Sequence, residues 1–515
     1  MKKLICVFLC IILCFPLACC KNGGDNLSTS PSKSGKEKPG SEQISLLYSS
    51  EDSLNPYTAK TKYNRQLSRL LYDCLIKCDG DFNPVYCLAS SAITDGKTCT
   101  VSLNTAYFTD KTPVTPDDVL YSFNCAKKSS TAYSTSLSDI ASASAGPNAV
   151  IFTLNHYDPL FLNLLDFPII KQGSDGNRTS DGVEIAPTGS GRYYAATEQG
   201  KLFRNDDYFG KKPDISEINL INAPDEVSAS HYVEVGAADI YYADESAASV
   251  ARMSGKRSDV NTNNFVYIGI NGAYGQLSNS QLKYAISAAI DRTEICHSAY
   301  FDNAVAATGF FNPCIKETSA VQSLKIVSDT QISVENLSSI GYNKLVGGYY
   351  VNDSGKRLSF TLLVNSDNPS RVLAAKLIAN QCGAAGIEIT VIERTYEQYL
   401  SLLSSGGFQL YLGEIRVPNN MDMSSLVVPG GNSAYGVSRT TGETGELKAT
   451  VCENMVNRYR GGECGLSDLA GSFLTEMPQI PVCYRNGMLF YTSRIKSDAK
   501  PAVNDVFFGL ENYKF

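Results

Sequence analysis

A short segment of the sequence, "GEIRVPNNMDMSS" at 413–425, gathers charged and amide side chains. Glu414 and Asp422 carry carboxylates, Arg416 carries a guanidinium, and Asn420 lies between Arg416 and the second acid. A carboxylate can bind a cationic group such as an ammonium, and a guanidinium can orient an acid or bind a carboxylate. A simpler interpretation is that Arg416 pairs with one of the acids and the loop is solvated. Both interpretations remain open, and neither involves a chemical reaction.

The rest of the sequence contains no pattern typical of a catalytic centre. The three histidines, His156, His231 and His297, are far apart and show no metal-ligand spacing, so we expect each to be structural. Neither the nucleophile motif G-x-S-x-G nor the phosphate loop G-x-x-x-x-G-K-[ST] is present. The glycine-rich "TGSGR" at 188–192 is predicted to form a tight turn. We therefore expect no catalytic residue, no metal site and no cofactor.

The segment at 413–425, called the charged segment below, follows the region with the most regular alternation of predicted strands and helices in the chain. Residues 359–413 alternate strands and helices as "SFTLLV", "NPSRVLAAKLIANQCGAAG", "IEITVIE", "YEQYLSLLSS" and "FQLYLG". This βαβαβ order requires a parallel sheet with right-handed crossovers. Ligands bind beyond the carboxyl ends of the strands in such sheets, so part of a binding site is expected in the segment after the third strand.

A helix is predicted from capping residues at 116 to about 127. Thr115 can cap its first turn, Pro116 suits the first helical position, and Asp117 and Asp118 complement the positive end of the dipole. These acids are therefore expected to be scaffold and not ligand contacts.

Other elements are predicted from the spacing of apolar residues. Residues 218–244 indicate a strand, a helix and a strand, and residues 280–292 indicate a strongly periodic helix. The stretch "TKYNRQLSRLLYDCLIK" is predicted to be helical because five residues fall on a single face. These residues are Leu67, Leu70, Leu71, Cys74 and Leu75.

The first twenty residues, "MKKLICVFLCIILCFPLACC", indicate export. Lys2 and Lys3 precede an apolar run at 4–15, which is too short to span a hydrocarbon core of ~30 Å. The run ends in "PLACC", which looks like a bacterial lipoprotein signal, in which a cysteine becomes the lipid-modified first residue. Both Cys19 and Cys20 are candidates for that cysteine, and an ordinary signal peptide is the alternative.

Residues 21–43 are predicted to be a disordered tether, because Leu27 is their only aliphatic side chain. The formal net charge is −7 and no Lys/Arg cluster occurs, so nucleic acid is not an expected partner. The remaining chain has no apolar run of about eighteen residues, so the lipid would be its only membrane anchor. The odd number of cysteines beyond Cys20 argues against a disulfide framework, and most are expected to be small buried hydrophobes.

Several stretches occur in the order typical of one protein family. They are "DSLNPYTAKTKYNRQLSRLLYDCLIKCDGDFNPVYCLASS", "GKTCTVSLNTAYFTDKTPVTPDDVLYSF", "APTGSGRYY" and "YIGIN…SNSQLKYAISAAIDRTEI". Together they resemble the extracytoplasmic solute-binding proteins of family 5, which serve oligopeptide, dipeptide and nickel-chelate ABC importers. The similarity covers essentially all of 44–515. One departure is Arg192, which stands where the family usually has proline.

The resemblance implies an α/β fold with two lobes, the periplasmic-binding-protein-like fold of class II, closing at a hinge. Lobe I would comprise 44–65, 185–265 and 478–515. The family inserts an outer subdomain into this lobe, here 66–184, and lobe II would be 266–477. The crossing segments are expected near 265–272 and 476–484.

The resemblance also suggests site residues. In peptide-binding relatives an aspartate after the third strand, usually following a tryptophan, pairs with the α-ammonium of the peptide. This chain has no tryptophan, and Glu414 stands near its place, so we expect Asp422 first and Glu414 second to take that role. Tyr267 and Asn271 in "VYIGIN" would lie at the hinge edge of the cleft, where they contact ligand or simply pack.

The expected function is that of a lipid-anchored substrate-binding protein of an ABC importer. It would be a monomer on the outer face of the bacterial cytoplasmic membrane, at the cell surface or in the periplasm. It would deliver oligopeptides to the permease and its ATPase subunits. The alternatives are another small solute such as a metal chelate, a sugar or a modified amino acid, a surface enzyme, and a signalling receptor with the same fold.

Overall fold

The structure, a computed structural model, describes residues 43–515 except 131, 181, 183, 197–198, 245–254, 316–324, 442–444 and 498. The predicted signal, the lipid attachment at Cys19 or Cys20, and all but the last residue of the tether therefore lie outside the described residues. No helix in the described part of the chain combines the length and the apolar character that a membrane span requires.

The described chain contains both helices and strands throughout its length. The helices are α1 (Lys62–Leu71), α2 (Pro116–Lys128), α3 (Ala132–Ser136), α4 (Glu226–Glu234), α5 (Ser280–Ala289), α6 (Arg292–Tyr300), α7 (Thr330–Ser339), α8 (Pro369–Ala384), α9 (Tyr396–Ser405), α10 (Ser424–Val427), α11 (Val451–Arg460) and α12 (Leu466–Glu476). The strands are β1 (Gln43–Tyr48), β2 (Ile76–Cys78), β3 (Pro84–Tyr86), β4 (Ala89–Thr94), β5 (Thr98–Leu103), β6 (Ile140–Ala145), β7 (Ala149–Leu154), β8 (Tyr193–Ala196), β9 (Lys201–Arg204), β10 (Glu217–Asn222), β11 (Ile240–Ala243), β12 (Lys256–Ile270), β13 (Ala304–Ala306), β14 (Lys344–Val346), β15 (Tyr349–Val351), β16 (Ser359–Asn365), β17 (Glu388–Arg394), β18 (Leu410–Arg416), β19 (Thr440–Thr441), β20 (Leu447–Lys448) and β21 (Gln479–Tyr491).

An 11-stranded mixed sheet organises the protein, with the order β17-β16-β18-β12-β21-β11-β1-β10-β9-β8 and with β13 paired to β21. The pairs β1–β10, β16–β17 and β16–β18 are parallel, whereas β12 pairs antiparallel to both β18 and β21. A separate antiparallel sheet has the order β4-β5-β7-β6. This architecture confirms the predicted α/β class.

The long antiparallel pair of β12 and β21 connects the two halves of the large sheet. Its first part joins 256–260 to 487–491, beside β11. Its second part joins 264–269 to 479–485, beside β18. The register shifts between Val260 and Asn264, at the point where one part gives way to the other.

The predicted βαβαβ unit is confirmed as β16, α8, β17, α9 and β18. The side chain of Asn368 caps α8 by accepting from Arg371 N, and Pro369 occupies the first turn. Gly406 ends α9 in the left-handed conformation, which glycine adopts without strain. The charged segment therefore begins within the last strand of a parallel unit. The strand–helix–strand order predicted for 218–244 is also present, as β10, α4 and β11.

The helix predicted from Thr115 is α2, and its capping is reciprocal. The Thr115 side chain accepts from Asp118 N, while the Asp118 carboxylate accepts from Thr115 N at 2.9 Å. The other oxygen of Asp118 accepts from Gln172 N at 2.8 Å. Phe123 of α2 packs edge-on against Phe152 of β7, with ring centroids 5.8 Å apart. Asp118 is thus a scaffold residue, as predicted.

The first helix is shorter than predicted. It ends at Leu71, so Cys74 and Leu75 lie beyond it, although both are buried. The cause is a distant segment: Gly191 N donates to Leu71 O at 3.0 Å, and a Cβ at Gly189 would lie 2.1 Å from that same carbonyl oxygen. The glycines of "TGSGR" therefore permit a close backbone approach that competes with further helix formation.

Arg192, the departure from the family motif, is buried with 4% of its surface exposed. Its Nη2 lies 3.2 Å from the carboxylate of Asp505, which is equally buried, and donates to Arg69 O at 3.3 Å. Its Nη1 donates to Phe507 O at 3.1 Å. The Arg192 guanidinium thus connects the end of α1 to the C-terminal segment through hydrogen bonds and an ion pair.

The eleven cysteines from Cys74 to Cys483 are free thiols, and seven of them are buried. Burial raises the pKa of Cys74 and of Cys382 to about 12. The expectation that most of the cysteines act as small buried hydrophobes is confirmed.

Candidate functional site

A cavity of ≈ 410 Å³ lies where α1, the 133–136 and 163–166 segments, the end of β18 and the C-terminal 503–506 segment meet. This volume lies within the range of small-ligand sites, roughly 300–1,000 Å³. The side chains around it are mostly polar. They include Gln66, Ser68, Tyr133, Thr135, Asn163, Asn419 and Asn504.

Helix α1 presents two arginines to this cavity. Thr61 caps the helix, and its apolar face is buried through Leu67 and Leu70. Arg65 and Arg69 are four residues apart and therefore neighbours on the helix surface, and both line the cavity. Arg65 is exposed, and its Nε donates to Ala59 O at 3.0 Å.

Arg69 belongs to a buried charge pair in the cavity wall. Its Nη1 donates to Asp166 O at 2.5 Å, and its Nη2 lies 3.7 Å from the Asp166 carboxylate. Its Nη2 also donates to the Tyr133 hydroxyl at 2.9 Å. The Asp166 carboxylate accepts from Asn504 Nδ2 at 2.5 Å. Arg69 and Asp166 therefore satisfy one another within the wall.

Arg416 is the predicted site residue that the structure places in the cavity. It is the last residue of β18, it is exposed, and its Nη2 donates to Asn504 Oδ1 at 2.9 Å. Val417, Pro418 and Asn419 continue the wall after it. The first part of the charged segment thus borders the cavity at the carboxyl end of a strand, where the βαβαβ order predicts a binding edge.

Glu414 lies between two arginines of the same chain. One carboxylate oxygen accepts from Arg371 Nη2 at 2.8 Å and the other from Arg485 Nη2 at 2.9 Å. Only 8% of the Glu414 side chain is exposed. Burial alone would raise the pKa of Glu414, but Arg485 and Arg371 outweigh it and hold that pKa below its ordinary value. The carboxylate is therefore charged and fully engaged.

Asp422 and Asn420 lie beside a second, much smaller cavity of ≈ 20 Å³. The Asp422 carboxylate pairs with Arg460 of α11 and accepts from Ser424 N at 2.8 Å. Burial opposes the charge on Asp422, and Arg460 outweighs it, so the pKa of Asp422 is lowered. Asn420 donates to Asp158 at 2.8 Å. Both predicted residues therefore have partners in this chain, away from the larger cavity.

The small cavity adjoins the one three-residue cluster in the described part of the chain whose donor atoms could hold a metal ion. The donor atoms of Asp139, His156 and Asp422 lie within 4.8 Å of one another. The Asp139 carboxylate lies 3.4 Å from His156 Nε2 and raises the pKa of His156, and burial raises the pKa of the adjacent Asp158 to about 6. Because Asp422 is paired with Arg460, a cation there would have to displace that partner.

Tyr267 and Asn271 occupy the second part of β12 and the residue that follows it. Asn271 Nδ2 donates to Gly406 O at 3.1 Å and to Phe408 O at 2.9 Å. Tyr267 is 2% exposed and stacks on Phe265 with ring centroids 5.5 Å apart. The structure therefore places both among packed groups, and ligand contact by either residue stays a prediction.

The sequence interpretation did not identify the arginines that dominate this region. Arg65 and Arg69 could have been found, because they recur with helical spacing on the face opposite Leu67 and Leu70. Arg371, Arg460 and Arg485 carry no local signal, since each meets its acid only through tertiary structure.

The sequence matches the family described as "Bacterial extracellular solute-binding proteins, family 5 Middle" over residues 83–435. The oligopeptide-binding protein AppA of Bacillus subtilis is 22% identical over 400 residues, which cover 74% of this chain and 74% of that protein.

Two solved structures resemble the fold. AppA from Bacillus subtilis in complex with a nonapeptide gives a TM-score of 0.58 at 18% identity, covering 92% of this chain and 99% of that one. NikA from Brucella suis in complex with Fe(III)-EDTA gives 0.67 at 17% identity, covering 91% and 99%. These likenesses confirm the expected periplasmic-binding-protein fold. Since the family match extends over more than half of the chain, the protein belongs to the bacterial extracellular solute-binding proteins of family 5.

Proposed function

We propose that the protein binds oligopeptides in the cavity bordered by Arg65 and Arg416 and delivers them to the permease of an ABC importer. Family 5 proteins are the extracytoplasmic solute-binding components of such importers, and the AppA relative is an oligopeptide-binding protein. The observation that carries the proposal is the cavity itself, whose volume and amide-rich wall suit a ligand with repeated peptide groups.

The position of the cavity supports a mechanism of closure. With the boundaries predicted from the sequence, the wall combines residues of lobe I, of the inserted subdomain and of lobe II. The paired strands β12 and β21 connect the two halves of the large sheet, and their register shift between Val260 and Asn264 offers a place for bending. A ligand that contacts both lobes would stabilise the closed arrangement.

The proposal is tested by mass spectrometry of molecules released from protein purified under native conditions. We expect peptides, recovered without chemical change. Restoring them at about 100 times their dissociation constant should stabilise the native state by ~2.7 kcal/mol and reduce the radius of gyration in small-angle scattering. Release of a metal chelate or a sugar instead would favour the alternative of a non-peptide solute. If the protein cleaves the peptides that are restored to it, this result would favour the alternative of an enzyme.

Lipid anchoring is a second part of the proposal, and its support is the sequence "PLACC" at the end of a short apolar run. Replacing Cys19 and Cys20 together by serine is expected to move the protein from the membrane fraction to the soluble fraction. The matched control is serine at Cys14 and Cys10, which lie within the apolar run and should leave fractionation unchanged. Continued membrane association of the Cys19/Cys20 variant would contradict anchoring at this place.

A further inference from the structure

The wall of the larger cavity carries more positive than negative charge. Its charged lining residues are Arg65, Arg69, Arg416 and Asp166. Arg69 and Asp166 are both largely buried and satisfy one another, with 7% and 8% of their surfaces exposed. The surplus therefore consists of the two exposed guanidiniums, Arg65 and Arg416.

These two guanidiniums have neutral partners. Arg65 donates to a backbone carbonyl and Arg416 donates to the Asn504 side chain. Within the described residues, the structure shows no carboxylate in salt-bridge contact with either one. Asp244 interacts with Arg416 only at longer range, and it already lies 3.3 Å from Arg485. Both guanidinium groups thus retain N–H donors that can bind a ligand.

The acids that could have reversed this polarity are engaged elsewhere. Glu414 pairs with two arginines, and Asp422 pairs with Arg460 beside the smaller cavity. We propose that the cavity recognises its ligand through a carboxylate, which Arg65 and Arg416 bind. This inference rests on the proposed solute-binding function and names the ligand group that the site requires, namely a carboxylate at the chain end or on an acidic side chain.

The physical reason is desolvation. Closure around a ligand removes water from groups that line the cavity, and an unpaired guanidinium in a closed site is unfavourable. A carboxylate matches the planar fork of arginine with two parallel N–H···O bonds, which gives both energy and orientation. An ammonium brought into the same wall would meet two like charges.

The test uses the full chain and a pool of short peptides from a tryptic casein digest. One portion is untreated, a second is acetylated at its amines, and a third is acetylated and then converted to methylamides at its carboxyl groups. Captured peptides are counted by native mass spectrometry. We expect the acetylated pool to bind like the untreated one, and the methylamide pool to bind at least about tenfold less.

Single substitutions test whether Arg65 and Arg416 are the residues that bind the carboxylate. Arg65→Gln and Arg416→Gln are each expected to weaken capture of the untreated pool by about tenfold, whereas the exposed Arg394→Gln should not change it. Equal capture of the methylamide and acetylated pools by the unmodified protein would overturn the inference while leaving peptide binding intact. Variants that fold and bind as well as the unmodified protein would also overturn it. If no pool is captured, the proposed function fails and the carboxylate assignment fails with it.

Discussion

Replacing Glu414 by glutamine is expected to lower the free energy of unfolding by about 3–5 kcal/mol. The substitution preserves the volume but removes the charge that both Arg371 and Arg485 contact, so two largely buried guanidiniums lose their common acid. Urea unfolding followed by circular dichroism measures the loss. The exposed Glu51→Gln makes the same chemical change and should stay within about 0.5 kcal/mol of the unmodified protein.

The pH dependence of this difference follows from the lowered pKa of Glu414. A carboxyl group with a depressed pKa in the folded state contributes stability above its ordinary value of 4.5, and that contribution is lost as the pH falls through the folded pKa. The unmodified protein and Glu414→Gln should therefore converge in stability at acid pH. If Glu414 instead binds a ligand ammonium, the variant will be as stable as Glu51→Gln and will bind free-amine peptides more weakly.

Replacing Arg192 by leucine is expected to cost a similar amount, about 3–5 kcal/mol, because it leaves the Asp505 carboxylate buried without its closest cation. Lys77, whose Nζ lies 3.9 Å from that carboxylate, compensates only in part. Arg192→Lys keeps the charge but loses the guanidinium group that also donates to Arg69 O and Phe507 O. Its stability should therefore lie between that of the unmodified protein and that of Arg192→Leu.

Peptide capture is a second measurement, and it distinguishes a role of Arg192 at the cavity from a general role in stability. The residues it connects belong to the end of α1 and to the C-terminal segment, and both adjoin the cavity wall. Arg192→Leu should therefore weaken peptide capture under conditions where it is fully folded. A matched change at an exposed arginine, Arg357→Leu, should leave capture intact. Unaltered stability of Arg192→Leu would contradict the importance of the buried pair.

The parts of the fold that were predicted correctly have local causes. Thr115 and Asp118 lie three residues apart and cap α2 within one turn. The βαβαβ unit follows from apolar periodicity and from Asn368, Pro369 and Gly406 at the helix ends. By contrast, the end of α1 depends on Gly191, far along the chain, and no local pattern at Leu71 encodes it.

The candidate site was less predictable because ion pairs form between distant residues. The partners of Glu414 are 43 and 71 residues away, and Arg460 is 38 residues from Asp422. The sequence showed three charges close together in one loop, but it could not show which of them the fold would neutralise. Of these three charged residues, only Arg416 borders the larger cavity, and ligand contact by Glu414 or Asp422 stays a prediction.

The free thiols have a consequence for how the protein can mature outside the cytoplasm. The thiolate is the form that attacks oxidants and disulfides, and a pKa of about 12 keeps Cys74 and Cys382 almost entirely protonated at neutral pH. No described cysteine contributes a covalent cross-link to the folded structure. The described fold therefore forms without a disulfide, and Cys74 and Cys382 are expected to stay reduced under mildly oxidising conditions.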